Sequence, residues 1–397
     1  MKKIILFAFI LICPAAFCAG VKLTVENPNE SAVSDAPVVV VLNELQKIKK
    51  EKRGELAVFA DGKEISSQLD DLDGDGIVDE LVFLMDFAPG EVRNVTLKTI
   101  KPSKRKTFPK EVYADLILKE KDGTMKYVTS ASSAQNDMYN KLHHHGVAFE
   151  SALMAYRIYF DNKSTIDIYG KKKKQLELAK TGWYPTDEQL KQGFGDDILR
   201  VSGSAGVGTV KGWNGTKAIH IDKFERRTQR IVAQGNLRTV SESIVEGWEY
   251  EGKKIDMTVR YIQYARHRDA IAEVTASENI ECLATGVQKI ANGTLFSDNK
   301  GLIGSWGSDY PQNDTVKYSK ETVGLGVYVP TGYVKEHTAD KVNNLILMTY
   351  NKREILRFYL TAVWAREEFS DIKDEKQFFD YLNSWASALQ PVVLKYK

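Results

Sequence analysis

Residues 143–171 read HHHGVAFESALMAYRIYFDNKSTIDIYGK. Three histidines, Glu150, Arg157, three tyrosines, two aspartates and two lysines stand among strand-forming residues. A plain β-strand needs none of these groups at such density; strands lining a polar cleft do. Side chains alternate across a strand. Arg157 and Tyr159 therefore share one face, while Ala152, Met154, Tyr156, Ile158 and Phe160 take the other, more apolar one. In the next strand Asp167 and Tyr169 lie opposite Ile166 and Ile168. A hairpin through Asp161–Ser164 would bring Arg157, Tyr159, Asp167 and Tyr169 together, with His143, His144, His145, Glu150 and Lys171 nearby. The chemistry implied is the handling of a polar, sugar-like ligand. The plain alternative for Arg157 and Asp167 is a cross-strand ion pair, and for the histidines a solvated turn. The run HHHG lacks the i, i+4 spacing of helical zinc motifs, so a zinc site is weakly signalled.

Residues 70–80, DDLDGDGIVDE, form a second constellation. Asp71, Asp73 and Asp75 alternate before Gly76, and Asp79 follows, as at the start of a calcium loop. Loop position 12, a bidentate Glu in an EF-hand, is Val82 here, and strand-like runs replace the flanking helices. The expectation is a structural calcium ion, or else a solvated turn. No other cofactor is indicated. The glycines of 194–215 lack the phosphate-loop pattern and suit close backbone approach or a bulge. Asp196 and Asp197 open that segment. Trp213 and Trp306, like Trp183 and Trp248, are candidate stacking surfaces for a sugar, with core packing as the alternative. Arg226, Arg227, Arg260 and His267, near tyrosines, suit a carboxylate-bearing ligand.

These groups need a scaffold. Short alternating or apolar runs separated by Gly, Pro and Asp turns predict an all-β chain. Residues 20–104 read as a small N-terminal β-sandwich, with VKLTV, APVVVVL, ELAVFA, ELVFLMDF and VRNVTLK as its strands. The basic stretch 101–110 carries two prolines and marks a boundary. Residues 105–397 read as a large β-sandwich, closed by an amphipathic helix over 374–389 with Asp374 as its cap. Residues 1–19 read as a secretory signal peptide: Lys2 and Lys3, a short apolar run, then small residues. Export, to the periplasm, follows, with a lipid anchor at Cys18 as the rival reading. No later run reaches the roughly 18 apolar residues of a membrane helix. Cys282 is then the only mature cysteine, so no internal disulfide forms, and a buried inert thiol is expected. The 397 residues carry a net charge of +2, from 55 basic and 53 acidic side chains. That balance argues against nucleic acid as the main partner.

The blocks VENPNE, DGKEISSQLDDLDGDGIVDELVFL, HHHGVAFESALMAYRIYFD with IDIYGK, and the closing helix ending QPVV resemble the DUF4861 proteins of Bacteroidetes. The resemblance runs from about residue 22 to 397 and departs at VSDAP (33–37). It implies a secreted protein of polysaccharide-utilisation systems, a sandwich of the galactose-mutarotase kind and, in some relatives, a dehydratase acting on uronic-acid oligosaccharides. The leading expectation is a lyase or dehydratase that forms an unsaturated uronic acid. Such β-elimination needs a cation on the carboxylate, a base for the C5 proton and an acid for the leaving oxygen. Arg157 would be the cation, His144 or His145 the base, and Tyr159 or Tyr169 the acid. His143, Asp167, Lys171, Trp213, Arg260 and Trp306 would hold the sugar. A glycan-binding module without turnover, a mutarotase or epimerase using Glu150 or a histidine, and a hydrolase pairing Glu150 with Asp167 or Asp197 are the other readings.

Overall fold

The computed structural model describes residues 20–45, 48–135 and 138–396; the signal segment expected over 1–19 lies outside them. The chain is all-β, in two sandwiches. The smaller packs a five-stranded sheet, ordered Val393–Tyr396, Val21–Glu26, Val92–Thr99, Leu56–Ala60 and Lys63–Ile65, on a three-stranded sheet of Val33–Val41, Glu80–Phe87 and Ser67–Asp70. The division expected at 104/105 therefore leaves out one strand, because the C-terminal Val393–Tyr396 returns to pair antiparallel with Val21–Glu26. The valine run of the second strand is apolar on both faces for a reason. Val38 and Val40 enter the sandwich core, while Val39 packs against the large domain beside Val240 and Ile262. A strand covered on both sides loses its polar alternation.

The large sandwich sets one nine-stranded antiparallel sheet against two five-stranded sheets. The first of these smaller sheets is ordered Asp196–Asp197, Ile166–Gly170, Met154–Tyr159, Gly146–Ser151 and Val112–Asp115, and carries the histidine-to-lysine stretch. Its inner face, with Val147, Phe149, Met154, Tyr156, Ile158, Ile166 and Ile168, joins the main core. The other five-stranded sheet adds Leu283, Val287, Ile346 and Met348 to the same core.

The two sandwiches meet at Arg238, which is 2% exposed. Its guanidinium donates to Asp70 at 2.7 Å and to Glu80 at 2.6 Å, the residues at either end of the acidic loop. Gln68 accepts from the backbone N–H groups of Leu237 and Arg238 and donates to the Arg238 carbonyl. Gly235 is obligatory there, since a Cβ would sit 2.1 Å from the Gln68 side chain.

The closing helix spans Glu375–Ser387, with Asp374 and Gln377 forming a capping box. Its buried Phe378 and Leu382 press onto Gly304, Gly324 and Gly326 of the nine-stranded sheet, where a Cβ would come within 2.6 Å of one ring or methyl. The glycines in those strands are the seat of the helix. Among the described residues no helix is long and apolar enough to cross a membrane. Leu382→Ala is expected to cost about 2–5 kcal/mol and Asp374→Ala about 1 kcal/mol, both read from denaturant midpoints.

Candidate functional site

The outer face of the five-stranded sheet that carries residues 146–170 holds the polar groups. Strand register explains how. Arg157 lies opposite Asp167 on one side and Ala148 on the other; Tyr159 lies opposite Gly146, and Glu150 and Tyr169 both flank Ala155. Asp115 pairs with Ala148 and Asp197 with Tyr169. Long polar side chains thus stand beside Gly or Ala, which leaves them room on one surface.

Arg157 is the centre. It is 2% exposed, and Asp167 is fully buried. Nε and Nη2 both donate to Asp167 Oδ2, at 3.0 and 2.6 Å. Nη2 also reaches Asp197 at 3.3 Å and the Tyr159 hydroxyl at 2.7 Å. The Tyr159 hydroxyl in turn donates to Asp167 Oδ2 at 2.6 Å. The Trp183 ring covers the guanidinium at 4.3 Å. Burial works against the Arg157 charge, but Asp167, Tyr159 and Asp197 outweigh it and hold the group cationic. Burial raises Asp197 well above the usual carboxylate range, against the pull of Arg157. Gln312 donates to Asp197 Oδ2 at 2.8 Å.

His144 and His145 adopt left-handed backbone angles, φ 58° and 64°. Such conformations cost non-glycine residues about 1–3 kcal/mol and occur where surrounding contacts enforce them. Here they send adjacent histidines to different places. His144 turns inward, its Nε2 3.0 Å from Asp115, both side chains shut off from solvent. His145 stays half-buried, stacked on Tyr139 with centroids 3.6 Å apart. Its Nδ1 lies 2.8 Å from the Tyr139 carbonyl. A carbonyl only accepts, so the proton sits on Nδ1 and Nε2 keeps its lone pair. That Nε2 lies 3.4 Å from the hydroxyl of Tyr184. Burial lowers the His145 pKa to about 4, so the ring is neutral over most of the pH range. Tyr184 is 49% exposed and also accepts from Arg157 Nη1 at 3.3 Å. The cluster therefore opens to solvent at His145 and Tyr184.

Glu150, Tyr169 and Lys171 lie on the same face but are sealed beneath the segment 177–195. Lys171 donates to Glu150, and Glu177 lies 3.9 Å from the same ammonium. Glu150 accepts the N–H groups of Glu177 and Leu178, and Glu177 accepts that of Gly195 at 2.9 Å. Both ends of the covering segment are thereby tied down by carboxylates. His143 tilts against His144, with Gly182 of that segment so close that a Cβ would meet its Nε2 at 2.6 Å.

Three candidate ligand contacts lie elsewhere. Trp213 sits in the other five-stranded sheet, its backbone bonded to Tyr250. Arg260 is on the nine-stranded sheet, spent on Glu242 at 2.7 Å. Trp306 packs under the closing helix against Phe378, centroids 5.4 Å apart. Residues not singled out are Tyr139, Tyr184, Asp115, Glu177 and Gln312. Asp115 was readable, since Tyr113 and Asp115 alternate with apolar neighbours on their strand. Tyr184 follows Trp183 in a Gly-Trp-Tyr-Pro turn; for Gln312 the sequence carries no signal. In the acidic loop, carboxylate oxygens of Asp71, Asp73 and Asp79 lie within 4.8 Å of one another and could hold a hard cation. Asp75 falls outside that trio, its side chain accepting from Ile77 N–H at 2.7 Å.

Arg157 thus differs from a freely presented carboxylate clamp: its Nε and Nη2 edge is already filled. Arg157→Met is expected to destabilise the protein by about 3–5 kcal/mol, because Asp167 and Asp197 would be left buried without their cation; calorimetric melting reads it.

No curated protein matches the chain. Two solved structures align over 96% of it: an alpha-mannosidase from Enterococcus faecalis V583, at TM-score 0.45 and 11% identity, and a protein in glycosyl hydrolase family 38 from Enterococcus faecalis, at TM-score 0.45 and 10% identity. The alignments cover 46% and 47% of those chains, so this chain spans about half their length. The profile of one family matches residues 25–393, and the chain belongs to that family, DUF4861, described as a domain of unknown function.

Proposed function

We propose that the protein is an exported, carbohydrate-active lyase or dehydratase that forms an unsaturated uronic acid on an oligosaccharide. The observation that carries this reading is the neutral His145 imidazole, its Nε2 lone pair 3.4 Å from the Tyr184 hydroxyl at the open edge of the cluster. An elimination needs this pair of functions side by side. His145 Nε2 takes the C5 proton. The C5–H electrons become the C4–C5 double bond, the C4–O bond breaks, and the leaving oxygen takes the Tyr184 proton. Among the described residues Arg157 Nη1 donates to that hydroxyl alone. It is the guanidinium edge turned toward the opening, placed to meet the sugar carboxylate. His144 and Tyr169 drop out as base and acid in this reading because both are enclosed. Tyr159 is retained as a positioning group, its proton committed to Asp167.

The test is absorbance of the conjugated uronate as the enzyme meets a panel of uronic-acid oligosaccharides. His145→Gln is expected to lower the rate by about 10²–10⁴-fold while the melting temperature stays close to wild type. Tyr184→Phe should lower kcat by a comparable factor. Rates unchanged in His145→Gln, or no absorbance rise with any uronate, would sink the reading. The pH profile carries a sign. His145 must be neutral to act, and its pKa is depressed to about 4, so the acidic limb of kcat/KM should fall near pH 4, well below the 6.5 of a free imidazole.

The acidic loop is assigned a structural calcium ion on Asp71, Asp73 and Asp79. Calcium should raise the melting temperature, and Asp73→Asn should remove that rise. An Asp73→Asn protein that responds like wild type would refute the assignment.

A further inference from the structure

The turn that joins the two central strands of the site sheet is gripped from behind by two buried cations. Arg227, fully buried, donates to the carbonyls of Asp161 and Ile221. Lys211, 1% exposed, donates to the Lys163 carbonyl, to Thr165 Oγ1 at 3.2 Å, and to His220 Nδ1 at 3.2 Å. These bonds all go to neutral groups. A buried charge without a matched counter-ion is costly, and both groups show it. Burial pulls Lys211 down to about 7 and Arg227 down to about 10, although Asp161 supports both charges and Asp222 also supports Arg227.

His220 connects this positive centre to the surface. Below about pH 7 Lys211 is an ammonium and only donates, so His220 Nδ1 accepts and the proton of the neutral ring sits on Nε2. Burial, followed by the charge of Lys211, lowers the His220 pKa to about 4, which keeps the ring neutral. His220 lines a cleft of about 540 Å³ with Lys217, Lys223 and Lys341 on its rim. Asp222, Glu249 and Asp340 also line it, matching the three lysines in number. Asp340 is occupied by backbone N–H groups of Ala218 and Asn343. The lining is therefore balanced, and the two cations behind His220 leave the local field positive.

We propose that this cleft binds an oxyanion, a carboxylate or sulfate group, received by the Nε2–H of His220 and the rim lysines. The source is either the acid group of a saccharide or a free anion. The site is separate from the His145 opening, and the proposal does not rest on the lyase reading. An anion here adds counter-charge for Lys211 and Arg227 beyond that of Asp161 and Asp222, and so steadies the hairpin turn of Asp161–Ser164 that both cations hold.

Calorimetric titration of the full chain at constant ionic strength tests it, with sodium sulfate, glucuronate and neutral glucose as probes. Sulfate and glucuronate are expected to bind and glucose is not. Glucuronate more than about tenfold tighter than sulfate would assign a saccharide acid group; equal affinities would assign a free oxyanion. His220→Ala should weaken either anion by about 10-fold or more, the loss of one hydrogen bond to a charged group. Lys341→Ala, an exposed change that leaves the fold intact, should weaken both more modestly. His145→Gln should bind the anions as wild type does. The proposal is overturned if neither anion binds, if glucose binds as well as glucuronate, if His220→Ala and Lys341→Ala both bind unchanged, or if His145→Gln abolishes binding, which would move the anion to the other opening.

Discussion

A guanidinium buried between two carboxylates sets the terms for one whole face of this protein. Removing Arg157, Asp167 and Asp197 from water carries several kcal/mol of penalty per ion. The surroundings are what such a penalty demands. The Nε and Nη2 edge of Arg157 is spent on Asp167, Tyr159 and Asp197, and Nη1 reaches Tyr184. Gly146 and Ala148 give it space, and Trp183 shields it. Glu150 and Glu177 tie down the segment that carries Trp183 and Tyr184. The opening lies at His145 and at the half-exposed Tyr184 of this cover.

Much of this face was readable from strand parity. Arg157, Tyr159, Asp167 and Tyr169 fall on one surface because a period of two admits no other arrangement once the hairpin forms. The small residues beside them, Gly146, Ala148 and Ala155, follow from the same alternation. Two things were not readable. Neighbouring histidines in a strand would point to opposite faces, but His144 and His145 are separated by paired left-handed backbone angles, which no residue-type rule assigns to histidine. Gln312 arrives from more than a hundred residues away on a loop of the nine-stranded sheet, so only the folded chain brings it to Asp197. Tryptophan and arginine were poor guides for a related reason. Trp306 and Arg260 resemble ligand contacts in type, yet a large sandwich has other uses for a flat ring under a helix and a cation in a cross-strand pair.

The two sandwiches are joined by the same device on a smaller scale. Arg238, buried between Asp70 and Glu80, fixes the base of the acidic loop to the large domain. A cation in the loop would therefore stiffen the joint as well as the turn. In both places a single arginine collects carboxylates from separate strands, and its rigid fork turns a charge requirement into a geometric one.

The pairing of Val21–Glu26 with Val393–Tyr396 has a consequence for the order of folding. The first sheet acquires its outer strand from far along the sequence, Leu23 pairing with Tyr396. Contacts of that kind form slowly, since a long loop must close before they reward it. During synthesis the Val21–Glu26 edge of the N-terminal sandwich stays open until Val393–Tyr396 has been made.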